Sequence, residues 1–124
     1  MRITTLLVLP IKINVTYPPS ANRLWRFFKN RPVKSSIYKY WLENMCEEIN
    51  EQFKHPVITF PVHISLSVGL PDRRKRDLDN RIKPCLDLLE YAQVLENDNL
   101  VHSLNARWQP DLKDSVIIEI DNLT

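Results

Sequence analysis

The chain has 124 residues and a formal net charge of +2, a size that fits one domain with its own core. One glycine against nine prolines, without a low-complexity run, argues against a long flexible linker or a disordered tail. Cys46 and Cys85 stand outside any CxxC or histidine spacing, so we expect a reduced, cytoplasmic setting. The opening MRITTLLVLP has too short an apolar run for a signal peptide, and no stretch is long enough to cross a membrane.

The first half of the chain predicts one strand and one helix. Residues 11–17 alternate apolar and polar side chains, the pattern of a half-buried strand, which YPPS then ends because proline cannot donate to a ladder. Residues 36–53 repeat apolar side chains along one stripe and predict a helix capped by Ser35 or Ser36. The glutamates of this helix form an opposing ridge, which we expect to face away from any nucleic acid.

Between this strand and helix lies a basic segment. It contains six basic residues and no acidic one: Arg23, Arg26, Lys29, Arg31, Lys34 and Lys39. Aromatic residues are interleaved with them: Trp25, Phe27, Phe28, Tyr38 and Tyr40. Two interpretations stay open. The cations neutralise phosphates while the aromatic rings stack on bases, or the segment is a solvated loop whose aromatic residues pack on the core.

The second half predicts three strands around a second helix. Residues 58–68 alternate most regularly and predict a strand whose apolar side begins at Ile58 and Phe60. Two further strands are expected at roughly 100–108 and 115–121, joined by the turn QPDLKD.

The second helix is expected to run to about Tyr91. Proline is tolerated inside a helix only near its first turn, so Pro84 places the start close to Asp79 or Asn80. The inner face is expected to carry Leu78, Ile82, Leu86 and Leu89.

The segment PDRRKRDLDNRIKP, residues 71–84, sets four basic side chains directly against an acidic pair. The simpler interpretations make Asp77 or Asp79 a helix N-cap and the basic run a solvated loop or a localisation signal. An EF-hand is excluded, because its glycine and distal glutamate are missing. The functional alternative is a magnesium site, since Mg²⁺ usually takes one or two carboxylates together with substrate phosphates.

Residues further along can complete such a site. The stretch LENDNLV supplies Glu96 and Asp98 just beyond the helix. Lys83 lies four residues after Asp79, and we expect it to point back along the same helix face toward the carboxylates.

The stretch PDRRKRDLDN, followed by Lys83, Asp87 and ENDNLV, resembles the RusA-type Holliday junction resolvases, structure-specific endodeoxyribonucleases of bacteria and their phages. The upstream YPPSANRLWR is similar to the Pro-Pro-Ser-x-Asn-Arg motif of that family, and the two motifs stand at family spacing. The resemblance implies one α+β domain over residues 1–124, with residues 1–10 as an N-terminal extension. In this fold a mixed sheet of about four strands carries two main helices.

The resemblance also implies a function. It predicts a homodimer that resolves four-way DNA junctions by paired nicks, using Mg²⁺ or Mn²⁺ as its substitute, in DNA recombination and repair. The catalytic residues of the family correspond to Asp77, Asp79, Asp98 and Lys83, and the three aspartates would hold the metal. Asn97 stands where the family often has a further aspartate, which lowers the local charge without removing the catalytic position. The expected location is the cytoplasm of a bacterial or phage-infected bacterial cell.

The expected DNA-binding residues are Arg23, Arg26, Arg73, Arg74, Lys75, Arg76, Asn80 and Arg81. The main alternative is a protein that binds branched or duplex DNA without cutting it, for which three convergent carboxylates are unnecessary. A small scaffold that uses RRKR as a nuclear address is a third hypothesis. Leu100, Leu104 and Trp108, or Ile117, are candidates for a dimer interface, although they would equally serve to cap the core of the monomer.

Overall fold

The computed structural model describes residues 7–21, 24–53 and 56–123. The strands are β1 (Ile11–Thr16), β2 (Trp25–Phe28), β3 (Arg31–Lys34), β4 (Val62–Val68), β5 (Val101–Trp108) and β6 (Ser115–Asn122). The helices are α1 (Ser36–Gln52) and α2 (Asp79–Tyr91), and short 3₁₀ turns span Asp98–Leu100 and Pro110–Leu112. Arg23 lies outside the described residues, and of Arg26 only the backbone is described.

Four strands form one mixed sheet in the order β1-β6-β4-β5. β6 pairs antiparallel with both β1 and β4, whereas β4 and β5 are parallel and are connected through α2. One face of this sheet shares a single core with the buried side chains of both helices. The opposite face is polar around Ser65, Ser67 and Asn105. The α+β fold class with a four-stranded mixed sheet and two helices is therefore confirmed.

The hairpin formed by β2 and β3 is a separate two-stranded sheet that the sequence did not predict. Its turn places Lys29 and Asn30 in the left-handed region, with φ of 49° and 62°. In sequences, such two-residue turns are usually marked by Asn-Gly or Asp-Gly. Because this turn uses Lys-Asn, the hairpin has no strong local signal.

Two boundaries of the predicted elements differ from the structure. β4 begins at Val62 rather than near Ile58, because Pro61 interrupts the ladder and Phe60 is exposed. Ile58 instead makes an isolated parallel bridge to Leu95.

The inner face of α2 is also rotated from the prediction. Its buried residues are Arg81, Pro84, Cys85, Leu88 and Leu89, whereas Leu78, Ile82 and Leu86 are only partly buried. The buried face of α2 begins at Arg81. Because arginine is charged, the sequence pattern did not indicate which residues of α2 face the core.

The single glycine of the chain fixes the path out of β4. A Cβ atom at Gly69 would lie 2.2 Å from the carbonyl oxygen of Lys113, so no other residue fits without moving the backbone. The backbone N–H of Gly69 donates to the carbonyl of Ser115. This close crossing sets the start of the loop that leads to α2. Among the described residues, neither helix has the length and apolar character needed to cross a bilayer.

Candidate active site along helix α2

The N-terminal end of α2 carries two exposed carboxylates, Asp77 and Asp79. The N-cap residue is Leu78, and no side chain caps the helix. The interpretation of Asp77 or Asp79 as an N-cap is therefore wrong. Within the described ranges, neither carboxylate takes part in an ion pair, and the positive end of the helix dipole favours their negative charge. Both carboxylates are open to a cation from solution.

The basic loop before α2 finds its acidic partner in Asp72, not in the acidic pair that follows it. Asp72 accepts the backbone N–H of Arg74 at 2.9 Å and the guanidinium of Arg76 at 2.8 Å. The hydrogen bond from Arg76, supported by that from Arg74, lowers the pKa of Asp72. The guanidinium of Arg76 also lies 5.5 Å from the ring centroid of Tyr17. Arg76 thus anchors the loop, whereas the side chains of Arg73, Arg74 and Lys75 are exposed, with a longer ion pair of 3.4 Å from Arg74 Nε to Asp72.

Arg81 differs from its predicted role. Its side chain is buried, donates to the carbonyl of Pro18 at 2.8 Å, and lies 4.7 Å from the ring centroid of Tyr17. The guanidinium therefore holds the YPPS segment against α2 and is not accessible to a phosphate. We assign Arg81 to the fold rather than to the DNA surface. Asn80 lies beside it in the first turn of α2 and is half-buried.

Lys83 is the centre of an ion-pair cluster in the middle of α2. Its Nζ lies 2.8 Å from Asp87 Oδ1 and 3.6 Å from Asp98 Oδ2. Lys83 was expected to point toward the carboxylates of the site, and it contacts one of them, Asp98, while Asp87 holds it from one turn further along the helix. The hydrogen bond to Asp87 raises the pKa of Lys83, so the ammonium is charged at neutral pH.

Asp87 is itself held in place by a residue of the core. The hydroxyl of Tyr38, a fully buried residue of α1, donates to Asp87 Oδ2. Burial, reinforced by the neighbouring Asp87 carboxylate, raises the pKa of Tyr38, so its hydroxyl keeps the proton that it donates. Because Tyr38 is buried, its predicted role in stacking on bases is excluded. The result is a chain of contacts from the core through Asp87 to Lys83.

Asp98 is fixed by its backbone. Its N–H donates to Glu90 Oε1 at 3.1 Å. The preceding segment is tied to Ile58, whose N–H donates to Val94 and whose carbonyl accepts from Glu96. Asn97 caps the 3₁₀ turn by accepting the N–H of Asn99 at 2.9 Å. The amide of Asn97 therefore has a structural role that an aspartate would also fill.

The Asp98 carboxylate lies beside Lys83, with 3.6 Å between Oδ2 and Nζ. Lys83 follows Asp79 by about one helical turn, roughly 6 Å along the axis. Across the described residues, no three acidic, histidine or cysteine side chains gather closely enough to hold a metal ion. The oxygen donors of Asp77 and Asp79 fit the one or two carboxylates that Mg²⁺ usually takes. That Asp98 joins them on one ion stays a prediction.

Sequence reasoning missed the contacts of three residues of this site: Tyr38, Asp87 and Glu90. Asp87 follows Lys83 at the i,i+4 spacing that favours an ion pair, so a local signal was present. Tyr38 lies on the apolar stripe of α1, and a buried tyrosine hydroxyl needs a partner. The contact of Glu90 with Asp98 depends on the path of the following loop and has no signal in the sequence.

The fold and this helix define a small α+β protein with a lysine and carboxylates assembled along one helix. The family model for endodeoxyribonuclease RusA matches residues 16–121, which includes every residue described in this site. The crossover junction endodeoxyribonuclease RusA of Aquifex aeolicus (strain VF5) is 34% identical over 103 residues, 82% of each chain. The protein of the same name from Escherichia coli (strain K12) is 34% identical over 80 residues, 64% of this chain and 67% of the relative. The chain belongs to the RusA endodeoxyribonuclease family, as the sequence motifs predicted.

Proposed function

We propose that this protein is a Mg²⁺-dependent endodeoxyribonuclease that resolves four-way DNA junctions by paired symmetric nicks. The observation that carries the proposal is the contact of Lys83 with Asp98 at 3.6 Å, on the helix whose exposed N-terminal end presents Asp77 and Asp79. Family membership and the names of the relatives support the same reaction. We further propose that it acts in the bacterial cytoplasm.

The residues of α2 take separate roles in phosphodiester hydrolysis. Mg²⁺ held by Asp77 and Asp79, with Asp98 as the third ligand, would orient the attacking water and polarise the phosphate. Lys83 neutralises negative charge that develops on the phosphate oxygens. Asp87, which the Tyr38 hydroxyl holds in place, sets where the Lys83 ammonium can reach.

DNA binding falls to the loop before α2. Arg73, Arg74 and Lys75 are exposed and adjacent in sequence to Asp77, so they lie where the backbone flanking a scissile phosphate would pass. Arg76 contributes by holding this loop through Asp72. The basic residues would attract the strand, and the carboxylates would hold the metal ion that activates water for hydrolysis.

A homodimer is part of this proposal. Resolution of a four-way junction needs two nicks at symmetric positions, and a two-fold dimer supplies two identical sites. β5 is an edge strand of the sheet, and Leu104 on it is exposed, which makes this strand a suitable interface. Sedimentation of the free protein at micromolar concentration checks the state. Paired cuts by a species that stays monomeric on and off DNA would contradict the dimer.

The proposed activity is tested by incubating the protein with a synthetic four-way junction and with a linear duplex of the same arm sequence. We expect Mg²⁺-dependent cleavage of the junction at symmetric positions and little cleavage of the duplex, with no cleavage in EDTA. Tight binding of the junction without cleavage at any divalent ion would instead identify a DNA-binding protein that does not cut.

A further inference from the structure

A pocket of about 250 Å³ lies on the side of α2 that carries Lys83 and Asp87. Trp25, Leu42 and Tyr91 line it, and its charged lining residues are two lysines and two acids: Lys34, Lys83, Asp87 and Glu90. Ligand sites for drug-sized molecules are usually about 300–1,000 Å³, so this pocket suits a single planar group. It is called the Trp25–Tyr91 pocket below.

The two aromatic residues are unusually open for their type. Trp25 is 49% exposed and Tyr91 is 44% exposed, whereas the core aromatic residues Tyr38 and Trp41 are buried. Large rings left half in water lose the hydrophobic stabilisation that burial would give them. Each side chain therefore keeps surface that another flat group can contact, although Lys34 lies over one face of the Tyr91 ring.

The cations are placed by the fold. Lys34 is the register partner of Trp25 in the β2–β3 hairpin, and its Nζ lies 5.7 Å from the ring centroid of Tyr91. Lys83 is held by Asp87 at 2.8 Å. The hairpin thus delivers a ring and a cation to the pocket, and α2 delivers the second pair, Tyr91 and Lys83.

We propose that the Trp25–Tyr91 pocket receives one unstacked nucleobase of the DNA strand whose backbone passes Lys83. This inference rests on the proposed nuclease function and adds a base-binding site to it. Aromatic faces bind bases of any sequence by stacking, and nearby cations bind the attached phosphates. Removing a base from its stack costs a few kcal/mol in a duplex and least where pairing is already disturbed. A branch point interrupts the continuous stack of a duplex, so the pocket favours junctions over intact duplex.

The first test is photochemical crosslinking of the wild-type protein in EDTA to four-way junctions. Each junction carries one 5-iododeoxyuridine, placed in turn at each nucleotide that flanks the branch point. We expect one or two positions to crosslink to Trp25 or Tyr91, as identified by mass spectrometry of the digested adduct. Crosslinks that avoid both residues at every position would overturn the pocket.

The second test compares junction affinity of variants by fluorescence anisotropy, again in EDTA. Trp25→Ala and Tyr91→Ala should each weaken binding by roughly 5- to 150-fold, the range reported for losing one stacked base. Trp25→Phe and Tyr91→Phe keep a ring and should bind nearly as well as wild type. Phe60→Ala is the matched control, because Phe60 is an aromatic residue that is 40% exposed and lies outside the pocket.

The outcomes separate this inference from the function on which it rests. If the wild type cleaves junctions, and Trp25→Ala and Tyr91→Ala weaken junction binding no more than Phe60→Ala does, the pocket is overturned while the nuclease function stands. Crosslinks to Trp25 without cleavage in the presence of any divalent ion would support the pocket and overturn the nuclease function. Thermal unfolding of each variant shows whether it is folded, and Tyr91, at the exposed end of α2, gives a second variant in a different element from Trp25.

Discussion

The two halves of α2 present their charged side chains in opposite ways. At the N-terminal end, Asp77 and Asp79 are exposed and lack a capping role. In the middle, Lys83 is fixed by Asp87, which the buried Tyr38 holds in turn. The N-terminal end is the open half, whose carboxylates are accessible from solution. The middle is the built-in half, where a chain of contacts from the buried Tyr38 holds the exposed Lys83 in place. The contacts with Asp87 therefore position Lys83 before substrate binds. Asp77 and Asp79, by contrast, are accessible to a ligand.

The largest effect is expected at the open half. Asp77→Asn and Asp79→Asn should each slow cleavage of bound junction at least about a thousandfold, because a metal ion contributes several kcal/mol of transition-state stabilisation. Junction affinity should not fall, since neutralising an acid does not weaken phosphate attraction. Denaturant unfolding should change by no more than about 1 kcal/mol, the value of a charge near a helix end.

Asp111→Asn is the control for these variants, because Asp111 is an exposed acid in the Pro110–Leu112 turn. It should cleave like wild type. Wild-type cleavage rates in both Asp77→Asn and Asp79→Asn would show that the open half has no catalytic role.

The next effect concerns the built-in half. Lys83→Ala should slow cleavage of bound junction about 10²–10³-fold, the cost of removing one preorganised group from developing charge. Its dissociation constant should rise much less. Single-turnover cleavage and binding measured on the same junction separate the two quantities. Lys12→Ala, an exposed lysine that pairs with Glu119, is the control. Equal effects of Lys83→Ala on rate and affinity would make Lys83 a phosphate contact only.

A third effect distinguishes the exposed basic residues from the anchored one. Replacing Arg73, Arg74 and Lys75 together by alanine should weaken junction binding roughly a hundredfold at 0.1 M salt. The slope of log K against log salt should fall by about 2.7, because each lost phosphate contact removes about 0.9. Arg76→Ala should mainly destabilise the loop and the fold. A slope that changed equally in Arg76→Ala would show that the anchored side chain also contacts phosphate.

The smallest effect tests whether the core positions Lys83. Tyr38→Phe removes only the hydroxyl that holds Asp87, so we expect about a tenfold slower cleavage with unchanged affinity. The free energy of unfolding should fall by about 1.5–3 kcal/mol, as for a hydrogen bond to a charged group. A merely structural role would lower stability without changing the rate. In the Asp87→Asn background, Tyr38→Phe should cost less than it does alone, because the two residues act through one contact.

Much of this architecture was predictable from local pattern. The alternation in β1 and β6, the stripe of α1 and the position of Pro84 in α2 are set by each segment alone, and their boundaries agree with the structure to within one or two residues. The β2–β3 hairpin was not predictable, because its turn residues Lys29 and Asn30 carry no glycine to mark the left-handed conformation.

The site was predictable in its residue types and less so in its arrangement. Motif spacing placed Asp79 and Lys83 on one helix, but the direction of Lys83 depends on Asp87, whose own position depends on Tyr38 in another helix. The pairing of Asp72 with Arg76 likewise changes which basic residues are exposed. These contacts join distant or competing partners, so periodicity and composition cannot decide them.

The central claim is that the open and the built-in halves of α2 form one metal-dependent site, and Asp98 is the residue that would join them. The direct measurement is single-turnover cleavage of a pre-bound four-way junction, started by adding Mg²⁺, for wild type and Asp98→Asn. The account predicts paired nicks by wild type and loss of cleavage by Asp98→Asn, with junction binding retained. Cleavage by Asp98→Asn at the wild-type rate would contradict it.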